Sequence, residues 1–346
     1  MTDIIFVNIG LNFEKHYKHM QSKKFISVDW GTSNFRMRLV DTITSEIIEE
    51  VTSTKGIKKI YNDWLHERGD DWLHERGDRE EFFLNFLKKQ CIQFKSSIDD
   101  TFKILISGMA SSSIGIRELP YAQLPFSSKG ESIYLEKINT SILKNPIHLI
   151  SGIKTKDDVI RGEEAQVLGL ISDEDKGETT VFILPGTHSK HIIFKNNSVV
   201  DFKTFMTGEV FNVITENTIL KNSVCSGSFD SKEQTAFKKG VIKSSKNQSI
   251  LNTLFNIRTS DLFKERTTTA NFYYLSGLLI GEELKTLKTI NCNLIKLCAG
   301  SNIFELYNVA IKILGLGLKT VIISKETVDH SVIKGHLKLL KKIEKL

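Results

Sequence analysis

Phe25-Ile26-Ser27-Val28-Asp29 is an apolar strand that ends on an acid, and Trp30-Gly31-Thr32-Ser33-Asn34 follows it as a turn. Phe35-Arg36-Met37-Arg38-Leu39-Val40 then returns as a second strand. Gly and Asn permit the tight reversal, so the segment can fold only as a hairpin of two paired strands. One reversal thereby gathers a carboxylate, short hydroxyls and backbone N–H groups. Such a turn can hold a polyphosphate bound to a divalent cation.

A chain of 346 residues is comfortable for two domains. The net charge of +6 is mild and is not gathered into one basic run, so nucleic acid is not an expected partner. The Lys-rich end (Lys334, Lys338, Lys341, Lys342, Lys345) reads as a solvated helix face. Cys91, Cys225, Cys292 and Cys298 are scattered, without a CxxC pair or the spacing of a disulfide framework. They imply a reducing, cytoplasmic setting. No apolar run approaches the ~18 residues of a membrane span, and Ile4-Ile5-Phe6-Val7 follows Asp3 rather than basic residues, unlike a signal peptide.

Residues 1–22 read as an extension before the first strong strand, with Met20 as an alternative start. Residues 63–70 (Asp63-Trp64-Leu65-His66-Glu67-Arg68-Gly69-Asp70) recur without change at 71–78. Eight residues overshoot two helical turns by ~80°, and Gly69 and Gly77 disfavour a continuous helix. The repeat therefore fits an exposed loop or a join between helices. Asp78 with Glu81 resembles a capping box, and the helix it opens carries Phe83, Leu87, Cys91 and Phe94 on one stripe.

From residue 103 strands and helices alternate. Ile104-Leu105-Ile106 ends in a small-residue loop, 107–115. Val181-Phe182-Ile183-Leu184 ends at Pro185-Gly186-Thr187-His188-Ser189-Lys190, and His191-Ile192-Ile193-Phe194 returns, turning at Asn196-Asn197 into Val199-Val200. Helices are expected over residues 209–220 and about 270–287. Leu294–Cys298 ends at Ala299-Gly300-Ser301-Asn302, and a helix over Ile303–Leu314 with a strand over Thr320–Ser324 completes a βαβ-like unit. Three strand-to-turn junctions thus offer free backbone amides, at 29–36, 185–190 and 299–302. Neither a Walker A pattern nor GxGxxG is present.

The order of these turns resembles the acetate and sugar kinase/heat-shock/actin superfamily. The finer match is to the 2-dehydro-3-deoxygalactonokinases. It rests on Asp29–Arg36, Arg161-Gly162-Glu163-Glu164-Ala165-Gln166, Pro185–Lys190, Met206-Thr207-Gly208-Glu209, Ser276-Gly277-Leu278-Leu279-Ile280-Gly281 and Ala299-Gly300-Ser301, spread over residues 25–335. The resemblance implies an α/β, two-domain actin-like (ribonuclease H-like) kinase fold with mixed sheets and a central cleft. It places an N-terminal α/β domain over 23–178 and a C-terminal one over 179–346, the last helix packing back on the first domain. It implies ATP and Mg2+ as cofactors, a small sugar acid as partner, and a homodimer as the assembly. The implied reaction is phosphorylation of 2-dehydro-3-deoxy-D-galactonate to its 6-phosphate. A kinase for another sugar or sugar acid, and a nucleotide-dependent sensor or ATPase, are the competing readings.

The residues themselves suggest roles. Asp29 would hold Mg2+ through water, since Mg2+ takes few protein oxygens. Gly31, Thr32, Ser33 and Asn34 would bind phosphate through N–H groups, with Gly186 and Thr187 doing the same across the cleft. Lys190 or His188 would neutralise charge on the transferred phosphoryl group. A substrate hydroxyl needs a base as its bond to phosphorus forms; Glu163 is the first candidate and Glu164 the second. Two glutamates opening a helix also complement its dipole. Arg161 would clamp the substrate carboxylate, with Arg36 a second candidate for that job or for a phosphate. The resemblance adds Thr207 and Gly208 to the phosphate side, Ala299, Gly300 and Ser301 to an adenosine loop, and Met109, Ser111, Ser112 and Glu209 to the substrate side. Loop 107–115 departs from the family: Ser111 stands where Gly is usual, and Ile116 where Trp is common. Ser189 stands in place of a frequent Cys.

Overall fold

Two six-stranded sheets share one order over five of their strands, and each adds a sixth at a different edge. The computed structural model describes residues 24–344 apart from 69–75, 247 and 300; the N-terminal extension, the middle of the tandem repeat, Gly300 and Lys345 lie outside the described residues. In the first sheet the strands run Ile47–Ser53, Phe35–Asp41, Lys24–Trp30, Ile104–Gly108, Ile147–Ile150, Leu135–Ile138. In the second they run Phe126–Ser127, Ser198–Phe205, Ser189–Lys195, Thr180–Leu184, Leu294–Leu297, Thr320–Ile322. Each half contributes an antiparallel three-stranded meander, whose first strand pairs in parallel with one later strand, which in turn pairs in parallel with a second. The fold is the expected α/β arrangement with mixed sheets, its five-strand order occurring twice.

The parallel strands are the apolar ones. Ile104–Gly108, Ile147–Ile150 and Thr180–Leu184 are buried along their whole length, as strands covered on both faces must be. Side chains alternate between those faces. Ile26, Val28, Ile104 and Ile106 pack outward on Ile57, Ile60, Phe83 and Leu87 of two helices, Ile57–Arg68 and Arg76–Cys91. Phe25 and Leu105 face inward and share a core with Phe182 and Phe194 of the second sheet. Ser27 and Asp29 follow Phe25 in the alternation and so lie on that inner face.

Two helices fill the inner layer, Glu163–Leu170 and Lys325–Ile343. They cross so closely that a Cβ on Gly335 would stand 1.9 Å from the Ala165 carbonyl. Lys338 Nζ donates to the Leu168 carbonyl at 2.6 Å, closing the C-terminal end of the shorter helix. Lys342 Nζ donates to the Glu131 carbonyl at 2.9 Å. These two lysines therefore do not belong to a solvated face, whereas Lys334 and Lys341 are exposed. Burial of an ammonium is acceptable here because carbonyl oxygens replace its water.

Other differences from the sequence reading are local. The first repeat copy is helical through Arg68, with Trp64 buried, so it is not an exposed loop. The next helix opens at Arg76 rather than at an Asp78 cap, and Gly77 lies inside it; packing of Phe83, Leu84 and Leu87 outweighs the propensity of one glycine. Helices Ser231–Ser245 and Ile250–Leu262 were absent from that reading, because their polar, Lys-rich faces blur the periodicity. No helix among the described residues is long and apolar enough to cross a membrane. Cys91, Cys292 and Cys298 are free and buried, and Cys225 is free and exposed.

Candidate active site

The first turn is fixed from below. Trp30 is fully buried, its ring edge-on to Phe35 at 5.0 Å and tilted against Phe83 at 5.6 Å. Gly31 N donates to the Asn34 carbonyl at 2.9 Å and closes the reversal. The turn's own carbonyls are taken by the start of the Ile57–Arg68 helix. Ile57 N donates to Gly31 O at 3.0 Å, Lys58 N to Thr32 O at 3.1 Å and Gly56 N to Ser33 O at 3.2 Å. The unpaired amides of the helix N-terminus thus find acceptors, and the turn is held with its carbonyls on the helix side. Thr32, Ser33 and Asn34 are exposed, and their N–H groups meet no backbone acceptor among the described residues. A Cβ at Gly56 would stand 2.3 Å from Thr32 O, so only glycine allows this contact.

The second turn uses the same device. Glu209 N, in the first turn of the Thr207–Asn217 helix, donates to Thr187 O at 3.0 Å. A Cβ at Gly208 would stand 2.7 Å from Gly186 O. Both turns line one cleft of about 870 Å³, together with Asp29, Arg36, Glu163, Gln166 and Lys190. A second cavity of about 500 Å³ shares Gly186 and Thr187. Thr207, Gly208 and the aromatic rings of Phe211, Phe272 and Tyr273 also line it.

The charged groups of the cleft are ordered. Asp29 lies opposite Arg36 in the hairpin register. Burial raises its pKa above the ordinary carboxylate value, with the Arg36 charge acting against that shift and Glu163 adding to it. Glu163 opens its helix and forms an ion pair with Lys190 Nζ at 3.1 Å. Lys190 also donates to the His188 carbonyl at 2.7 Å and is buried, unlike an ordinary hairpin lysine. This pair joins the second hairpin to the inner helix.

Glu163 and Glu164, adjacent in sequence, differ sharply. Glu164 is fully buried and does not line the cleft. Its Oε2 accepts from Gly162 N at 2.6 Å while its Oε1 has no partner. Burial pushes its pKa up to about 8, and the charge of Glu163 adds to the rise.

The two arginine candidates also separate. Arg161 donates to the Ser111 carbonyl and hydroxyl and to Leu119 O, and its guanidinium stands 4.1 Å over the Tyr121 ring. It is used in holding loop 107–121 and does not line the cleft. Arg36 does line it, and pairs with Asp329 of the Lys325–Ile343 helix at 2.7 Å. Asp329 also takes Arg38 at 2.7 Å; nothing in the sequence spacing signals this contact across nearly 300 residues. Met109 packs against the outer core of the first sheet, and Ser111 and Ser112 are buried, all three away from the cleft lining.

His188 Nε2 and Glu209 Oε2 lie 2.5 Å apart at the exposed rim of the second turn. Glu209 therefore stands on the phosphate side rather than beside Arg36. Ala299 is buried, and Ser301 begins the Ser301–Ile313 helix, which contributes Ile303, Glu305 and Tyr307 to the second cavity. Sequence reading missed Gly56, whose signal is a glycine directly before a helix. It also missed Glu283, a buried acid of the Thr268–Leu284 helix.

Two chemical capacities follow from this geometry. Amide-lined turns facing each other can hold a chain of phosphates, and a carboxylate beside them can accept a proton. No group of three or more His, Cys, Asp or Glu residues poised to hold a metal occurs among the described residues. A single desolvated Asp29 suits a cation that keeps most of its waters.

The chain is similar to known proteins along most of its length. "Probable 2-dehydro-3-deoxygalactonokinase DgoK1" of Rhizobium meliloti (strain 1021) is 27% identical over 307 residues, covering 86% of this chain and 92% of the relative. The 2-dehydro-3-deoxygalactonokinase of Escherichia coli (strain K12) is 26% identical over 311 residues, with the same coverage of 86% and 92%. The crystal structure of a Sinorhizobium meliloti protein, described as a candidate 2-dehydro-3-deoxygalactonokinase, superposes with a TM-score of 0.75 at 25% identity. It covers 92% of this chain and 96% of that one. The family model for 2-keto-3-deoxy-galactonokinase matches residues 29–333, and the chain belongs to that family.

Proposed function

We propose that the chain transfers the γ-phosphoryl group of ATP to the 6-hydroxyl of 2-dehydro-3-deoxy-D-galactonate, giving ADP and the 6-phosphate. The observation that carries this reading is Glu163, ion-paired to Lys190 in the one cleft that both phosphate turns line. ATP would lie with its base in the aromatic cavity and its phosphates between the turns. The N–H groups of residues 32–34 and of Gly186–Thr187 would hold phosphate oxygens. Lys190 would offset charge on the phosphoryl group in flight. Glu163 would take the hydroxyl proton as that oxygen bonds to phosphorus and ADP leaves. Arg36 would hold the acid's carboxylate.

Asp29 would hold Mg2+, whose charge would favour the ionised form of this half-buried carboxylate and would screen the phosphates. Glu164, buried and protonated over most of the physiological range, suits the base role poorly. The departures at Ser111 and Ile116 lie in buried positions outside the cleft, so they give little reason to prefer another acid. The test is a coupled ADP-release assay across a panel of sugar acids. Turnover of 2-dehydro-3-deoxy-D-galactonate above all others is expected; no turnover of it, with turnover of another acid, would reject this substrate. Equal ATP hydrolysis with and without any acid would reject the kinase reading.

A further inference from the structure

Glu283 lies near the end of the Thr268–Leu284 helix and is almost wholly buried, away from the transfer cleft. Its carboxylate is surrounded by donors. Ser189 Oγ donates to Oε1 at 2.8 Å, and His191 Nε2 lies 3.0 Å from the same oxygen. Tyr307 OH donates to Oε2 at 2.8 Å, and Thr207 Oγ1 donates to the same oxygen. A carboxylate is acceptor-only, so four donors from three other elements are matched to one anion.

The origin of those donors matters more than their number. Ser189 and His191 begin the strand that leaves the second phosphate turn. Thr207 is the first residue of the helix whose N-terminus carries that turn. Tyr307 belongs to the helix after the third strand-to-turn junction. Thr207 and Tyr307 also line the aromatic cavity. One buried anion thus ties together the phosphate turn, its supporting helix and the far wall of the nucleotide cavity.

We propose that Glu283 is the positioning residue of the nucleotide side, setting the second phosphate turn and the aromatic cavity in one register before nucleotide binds. It touches no substrate; it acts through Thr207, Ser189 and Tyr307. Preorganised donors bind without reordering, and a buried network that loses one member loses that advantage. The proposal rests on the reading of the aromatic cavity as the nucleotide site, not on the identity of the acceptor acid.

The test compares wild type and Glu283→Gln by calorimetric titration with Mg-ADP, without any acid, and by steady-state kinetics in both substrates. Loss of a charge-assisted hydrogen-bond set should weaken Mg-ADP binding roughly tenfold or more. The KM for ATP should rise in parallel while the KM for the acid stays within about twofold. A merely structural role would lower the melting temperature and leave the two KM values changed alike, which would overturn the proposal. So would a folded Glu283→Gln that binds Mg-ADP as wild type does. Should that variant fail to fold, Ser189→Ala and Tyr307→Phe serve instead. Each should weaken Mg-ADP binding, and together by less than the product of their effects, because they share one carboxylate; additive or absent effects would overturn the proposal. Wild type that binds Mg-ADP but does not phosphorylate 2-dehydro-3-deoxy-D-galactonate would reject the acceptor, and the binding comparison would still decide Glu283.

Discussion

The two phosphate turns are built alike and charged differently. Each joins the first two strands of a meander, and each gives carbonyls to the N-terminus of the helix after that meander. Gly56 and Gly208 play the same part on the two sides, since an added Cβ would stand 2.3 and 2.7 Å from a carbonyl of its turn. Yet the first turn is preceded by a half-buried acid, Asp29, and the second is followed by a buried cation, Lys190. Backbone geometry is common to both halves, and the chemistry differs. In the proposed reaction the repeated scaffold would hold phosphate, and the side chains that differ would move it.

The largest test of this contrast is at Glu163, the carboxylate that Lys190 holds between the halves. Glu163→Gln should lower kcat by ~10²–10⁴ with nucleotide binding largely kept, read by steady-state turnover and Mg-ADP titration. Near-normal turnover would move the base elsewhere. Asp29→Asn should come next, with a loss of about 10²–10³ in kcat and a weaker dependence on Mg2+. Unchanged metal dependence would remove the metal from the first half and leave the two turns less distinct.

Smaller effects probe what the halves share. Gly56→Ala and Gly208→Ala each force a Cβ into a backbone carbonyl and should destabilise the fold by ~1–3 kcal/mol in chemical denaturation. Both should raise the KM for ATP. A rise in only one variant would show that the turns do not contribute equally to phosphate binding.

The last prediction concerns pH. Glu164 has its pKa raised to about 8 from an ordinary 4.5, chiefly by burial. The folded state therefore holds a proton that the unfolded state releases, and stability falls as pH rises through that window. His336 acts oppositely: burial lowers its pKa from 6.5 to about 3, so its contribution grows with pH up to 6.5. The net decline should appear between about pH 6.5 and 8. Glu164→Gln should flatten it, as measured by melting temperature across that range; an unaltered slope would place the titrating group elsewhere.

Much of the fold was legible in the chain because strands and turns are local. The hairpin at 25–40, the meander at 181–200 and the βαβ unit at 294–322 follow from alternation and from Gly and Asn at reversals. Asp29, Gly31–Asn34, Gly186–Thr187, Glu163 and Lys190 do meet at one cleft. Arg161 was misleading for a physical reason: its pattern suits a carboxylate clamp, but the Ser111 and Leu119 carbonyls and the Tyr121 ring take up its donors first. Sequence spacing cannot show which acceptor reaches a guanidinium.

The chain by itself determined the turns, the acid that precedes one and the cation that follows the other, since each is set by neighbours within a few residues. Only the tertiary structure brings Glu163 and Arg36 to the cleft lining and keeps Glu164 and Arg161 from it. One residue's step along a helix start turns a carboxylate from the cleft into the core, and packing against the other elements decides which of the two stays in water. The same long-range packing brings Asp329 to Arg36 and four donors to Glu283. These contacts span tens to hundreds of residues, and only the packing of elements distant in the chain creates them.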